Sequence, residues 1–149
     1  MADHPAENLQ GHPLELNAEL AAALRAWVAD GDQLDAALLS AGYQGAAYLY
    51  QANLNGREIS LVLKQAAGGW LTGGLNRRLL AREARVYQRM AAVSGVPHSP
   101  GMLDGEWLLL EYIEAKPLKS ARFELNDPTA FYARLLQVLH DFHAVGVAH

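Results

Sequence analysis

Lys64 closes the apolar run Ile59-Ser60-Leu61-Val62-Leu63-Lys64, and Glu83 follows nineteen residues later. The run reads as a strand in which Ile59, Leu61 and Leu63 share one face and Ser60, Val62 and Lys64 the other. Glu83 falls inside a helical stripe made by Leu79, Leu80, Val86, Tyr87 and Met90. A carboxylate there loses part of its water unless a cation meets it. Long acidic side chains are seldom buried unpaired. Each of the two charges is costly to bury alone, so Lys64 and Glu83 are expected to pair. Val62, on the lysine's face, suits an adenine ring while Lys64 reaches its phosphates. Taken alone, Lys64 is better accounted for as a strand-end lysine extending into water.

Two further segments bear on the same chemistry. Small residues at Ser40, Gly42 and Gly45, followed by Ala46 and Ala47, would let backbone amides come close to phosphate. An ordinary glycine turn explains them too. The run Glu106 to Ile113 is apolar and opens into Glu114-Ala115-Lys116-Pro117. A strand leaving a sheet there offers free backbone groups to the edge of an adenine, or is a plain core strand. Arg78, Arg82, Arg85 and Arg89 recur at helical spacing on the helix of Glu83, opposite its apolar face. That stripe is a solvated face or a docking surface for an acidic partner or a phosphorylated group. His140 and His143 lie three apart with no third ligand in evidence, so no metal site is assigned.

Elements must hold these groups in place. A helix is expected from about Leu16 to Ala29, capped by Asn17 and stopped by Asp30-Gly31-Asp32. Strand segments follow at Ala36 to Ser40 and Ala46 to Asn53. Asn55-Gly56 marks a tight hairpin into Glu58 to Gln65. Glycines 68, 69, 73 and 74 make a flexible connection, after which Asn76 caps a helix to about Ala92. Gly95 to Gly101 is turn-rich. Met102-Leu103, Asp104-Gly105 and Glu106 to Ile113 form a second hairpin. Asp127 caps a last helix, with Pro128 at its first position, running to Ala144 and burying Phe131, Leu135, Val138, Leu139 and Phe142. The fold class is α+β, with about five antiparallel strands, one main helix on the sheet, a leading helix and the first helix of a second lobe.

In this order the segments resemble the protein-kinase-like superfamily over about residues 36–149. Ser40, Gly42 and Gly45 look like its glycine-rich loop, with Ser40 at the first glycine. Leu61-Val62-Leu63-Lys64 looks like its lysine strand, and Glu83 like its helix glutamate. Leu109 to Ile113 looks like its hinge, with Leu110 as gatekeeper and Glu111 and Ile113 offering backbone to adenine. The ending His143 to His149 is similar to the lead-in of its catalytic loop, in the manner of small bacterial RIO-type and lipopolysaccharide-core-sugar kinases.

The resemblance implies a domain plan of a tail over 1–15, an N-terminal lobe over 16–112, and the hinge and start of a second lobe over 113–149. It implies ATP with Mg2+ as cofactors and phosphoryl transfer to a hydroxyl of a protein or a lipopolysaccharide sugar. Ser40, Gly42, Gly45, Ala47, Val62, Lys64, Leu110, Glu111 and Ile113 would hold nucleotide. Lys64, Glu83 and His149 would belong to the catalytic machinery, His149 by bracing its loop. The family's catalytic aspartate would fall about two residues beyond His149, and its metal ligands further on. The sequence as it stands is therefore expected to be an inactive portion. A truncated or pseudokinase-like module that binds a protein partner is the alternative, and an arginine-rich binder of RNA or acidic protein a third.

Composition narrows the classes. The chain has 149 residues, 51% of them apolar, which suits one domain or one lobe. Net charge is −4, so no general attraction to nucleic acid or anionic membrane is expected. The absence of cysteine excludes disulfides and thiolate metal sites and fits a reducing, cytoplasmic setting. No secretory leader and no membrane span are read in it. An exposed face between lobes would favour self-association.

Overall fold

A computed structural model describes residues 13–69, 72–121 and 124–147. Most of the expected tail lies outside the described residues. The architecture is mixed α+β. Strands β1 (Leu38–Gly42), β2 (Gly45–Leu54), β3 (Arg57–Ala66), β4 (Gly101–Leu103) and β5 (Trp107–Glu111) form one antiparallel sheet in the order β1-β2-β3-β5-β4. Helices α1 (Ala18–Val28), α2 (Gly31–Ala36), α3 (Gly73–Arg89), α4 (Leu118–Ala121) and α5 (Pro128–Ala144) complete the described residues. None of these helices is long and apolar enough to cross a membrane.

Turn chemistry fixes the strand register. Asn55 and Gly56 take φ of 53° and 81°, the left-handed pair that a two-residue hairpin needs, and Leu54 faces Arg57 across the turn. Asp104 and Gly105 also take left-handed φ, 52° and 70°, in the three-residue β4–β5 turn between the paired Leu103 and Trp107. That register carries Leu63 opposite Tyr48 and Leu109, and Lys64 opposite Ala47 and Leu108. Directly opposed residues share a face, so the sheet has two distinct surfaces.

The outer surface is the larger core. Tyr50, Ile59, Leu61, Leu63, Leu103, Trp107 and Leu109 pack there against Leu20, Ala21 and Leu24 of α1. Leu24, Leu61, Leu63 and Leu109 are fully buried. Each such leucine contributes about 1.5–3 kcal/mol by leaving water. Asn17 caps α1 by accepting from the Leu20 amide at 2.8 Å, as its position in the sequence predicts. Arg25 then grips Asp104 with two nitrogens, at 2.7 and 2.9 Å, tying α1 to the β4–β5 turn. The inner surface is smaller. Leu108 and Leu110 pack there against Leu80 and Ala84 of α3, flanked by Val62, Ala66, Tyr87 and Met102.

Five local expectations are corrected. Asp30-Gly31-Asp32 ends α1 but also begins α2, because the Asp30 carboxylate accepts from the Gln33 amide at 3.2 Å. The first strand therefore starts at Leu38, not Ala36. Helix α3 starts at Gly73, so Asn76 is not its cap. Asn76 is buried, and its side-chain amide donates to the Ala67 carbonyl at 3.2 Å, which binds the helix to the end of β3. Leu79, expected in the buried stripe of that helix, is exposed. Finally, α5 begins at Pro128 with Asp127 accepting from the Ala130 amide at 2.9 Å, yet no residue of α5 is buried. Phe131, Val138, Leu139 and Phe142 are half-covered and Leu135 is exposed. A Cβ on Gly95 would lie 3.9 Å from Val138 of this helix, and Gly146 and Val147, just past it, share a hollow with the last turns of α3.

Candidate functional site

The central strand β3 carries Lys64 two residues before its end, on the inner surface. Helix α3 lies over that surface with Asn76, Leu80, Ala84 and Tyr87 turned inward. Glu83 rides on the edge of this stripe. Its carboxylate accepts from the Lys64 ammonium in a hydrogen-bonded ion pair. The two side chains keep 35% and 34% of their surface, so the pair sits at a mouth, not in the core. Water still reaches both charges there and weakens their attraction. A ligand can reach both charges as well.

The Lys64–Glu83 pair opens on a cavity of about 570 Å³. Its other walls are the β1–β2 turn from Ser40 to Ala47, the end of β3, and Asn76, Leu79 and Leu80 of α3. The volume lies in the range of cofactor clefts, about 300–1,000 Å³. Ser40, Gly42, Gly45, Ala47, Lys64 and Glu83, all singled out in the sequence, therefore line one cavity. The turn is tight: Gly42 faces Gly45, and Tyr43 stands at the tip, 85% exposed.

The two glycines are there for different reasons. A Cβ on Gly45 would lie 2.1 Å from the Gln65 carbonyl oxygen, so β3 itself demands glycine. Around Gly42 nothing lies within 4 Å of such a Cβ, and its backbone is open to approach from the cavity.

The remaining expected nucleotide residues are placed apart from this cavity. Val62 and Leu110 face each other across β3 and β5 on the inner surface, and Leu110 is buried in the small core under α3. Glu111 is exposed and its backbone is engaged. Its amide donates to the His98 carbonyl at 2.7 Å, and its carboxylate accepts from the His98 amide at 3.2 Å. Ile113 follows the strand and is exposed. His149 lies outside the described residues.

Asn76 and Leu79 are wall residues that the sequence reading assigned elsewhere. Asn76 stands four before Leu80 and seven before Glu83, so the helical period that picked out Glu83 would also have placed it on the same face. Tyr87 shares that neighbourhood. Burial pushes its phenol above the usual range, and the nearby Glu83 charge adds to the shift. Among the described residues no three His, Asp or Glu converge as metal ligands. Set against known proteins, the chain matches no family model and no curated protein.

Proposed function

We propose that the cavity between the β1–β2 turn and α3 is the phosphate end of an adenine-nucleotide site in a kinase-like phosphotransferase. The observation that carries this reading is the Lys64–Glu83 pair opening on the same cavity as Gly42. Nucleotide phosphates need a cation held at a set height and a backbone that can come close, and both are at hand. Lys64 binds α- and β-phosphate oxygens. Glu83 orients the ammonium and keeps it from swinging into water. Gly42 and the turn around it approach the phosphates by backbone. Adenine extends along the inner surface past Val62 toward Leu110 and Glu111. The Glu111 amide is already used by His98, so the carbonyl of Glu111 and the backbone of Ile113 are left to read the base.

ATP supplies the transferable phosphoryl group when bound, and a hydroxyl of a protein or a lipopolysaccharide sugar is the acceptor. The residues described here bind and orient; they supply no metal cluster, and no step is assigned to Mg2+. Titration of the chain with ATP, with and without Mg2+, tests the reading. Saturable binding that is lost in Lys64→Ala while the fold persists is the expected result. Binding unaffected by Lys64→Ala overturns it.

The incompletely covered face of α5 favours a second reading, a kinase-like module that docks a protein partner. Absence of any nucleotide binding, together with retention of fold, would move the balance to that module.

A further inference from the structure

Helix α3 holds five arginines against one glutamate, in a chain of net charge −4. Two arginines find acids: Arg25 grips Asp104 at 2.7 Å, and Arg77, on α3 itself, approaches Glu106 at 3.9 Å. Arg82, Arg85 and Arg89 do not. No carboxylate among the described residues pairs with them, and the one hydrogen bond among the three runs from Arg85 to the Ala81 carbonyl of its own helix at 3.4 Å. These three do not lie on a flat surface. They wall a concavity of about 350 Å³, closed on its other side by Gly146 and Val147 just past α5 and floored by Val86. The negative end of the α3 dipole accounts for Arg89 in the last turn. It does not account for Arg82, or for the convergence of all three on one hollow.

From this convergence we infer a second anion site, distinct from the Lys64 cavity, that takes a phosphomonoester carried by a small molecule. The three guanidinium groups are exposed, and each presents its donors in a planar fork, which together suit a compact group with several charged oxygens better than a single carboxylate. Val86 and Val147 offer an apolar shoulder beside the charge. The inference does not depend on the nucleotide reading, because the two sites share no wall residue.

The test is calorimetric and NMR titration of the full chain with inorganic phosphate and with glycerol 3-phosphate, each against sodium chloride at matched ionic strength. The variant Arg82→Gln/Arg89→Gln keeps good helix formers in α3. Saturable binding that shifts the Val86 and Val147 resonances is expected, weakened at least about tenfold in that variant, as loss of charge-assisted hydrogen bonds requires. Four results overturn the site: a response that chloride reproduces, equal binding by the arginine variant, shifts confined to the walls of the Lys64 cavity, or tighter binding of a short oligonucleotide than of either phosphate. The last would assign the groove to nucleic acid.

Discussion

Lys64 on the middle strand of the sheet and Glu83 on α3 meet as an ion pair at the mouth of a cavity, each about one-third exposed. A pair so placed contributes little to folding, about 0.2–1 kcal/mol by analogy with other partly exposed pairs. Its value lies in where it holds the ammonium.

The two contributions separate experimentally. Glu83→Gln is expected to change unfolding free energy by less than about 1 kcal/mol while weakening ATP binding about tenfold or more. Denaturant unfolding and a nucleotide titration on the same preparation measure both. A variant that loses stability but keeps its affinity would make the pair structural.

The glycines of the β1–β2 turn predict opposite outcomes. Gly45→Ala drives a methyl onto the Gln65 carbonyl, 2.1 Å away, and should destabilise by about 1–3 kcal/mol, as overpacking does. Gly42→Ala meets nothing within 4 Å and should fold normally. If the turn approaches phosphate by backbone, that variant loses nucleotide affinity without losing stability. Thermal unfolding with and without ATP reads both effects.

Arg25 holds the Asp104 carboxyl below its ordinary value, chiefly through their hydrogen bonds. A depressed carboxyl pKa stabilises the fold above the unfolded-state value and stops doing so as pH falls through the folded one. Asp104→Asn keeps a residue suited to φ of 52° but loses the charge. The melting temperatures of wild type and Asp104→Asn should therefore differ at neutral pH and converge in strong acid. A gap that stays constant down the acid limb would contradict the linkage.

Helix α5 buries none of its residues. Its amides should exchange with solvent well before those of β3 and β5, which cross the fully buried Leu61, Leu63, Leu108 and Leu109. Hydrogen exchange of a dilute monomeric sample checks this. Equal protection of α5 and β3 would mean that more of the chain covers this helix than the described residues do.

Local signals carried a good deal of this structure. Asn55-Gly56 and Asp104-Gly105 named their hairpins because few residues accept a positive φ. Asp127-Pro128 named the start of α5 for equally local reasons. Lys64 and Glu83 were legible as partners because each is a lone charge of opposite sign within an apolar run or stripe, although both keep about a third of their surface. What stayed hidden depends on distant neighbours. Gly73 and Gly74 look like a loop until the Asn76 side chain finds the Ala67 carbonyl and draws the helix back over them. The apolar stripe of α5 shows that the helix wants cover, and says nothing about what provides it. The engagement of the Glu111 amide by His98 depends on a loop whose path no periodicity reveals.

The alternation along β3 has a consequence for how the protein can change. Ile59, Leu61 and Leu63 answer only to the core beneath α1, whereas Val62 and Lys64 answer to the side that carries the cavity. A library of substitutions across this strand, selected once for solubility and once for ligand capture, should give two tolerance profiles that disagree at every second position. Robustness and specificity could then drift along separate sets of codons within a single ten-residue strand.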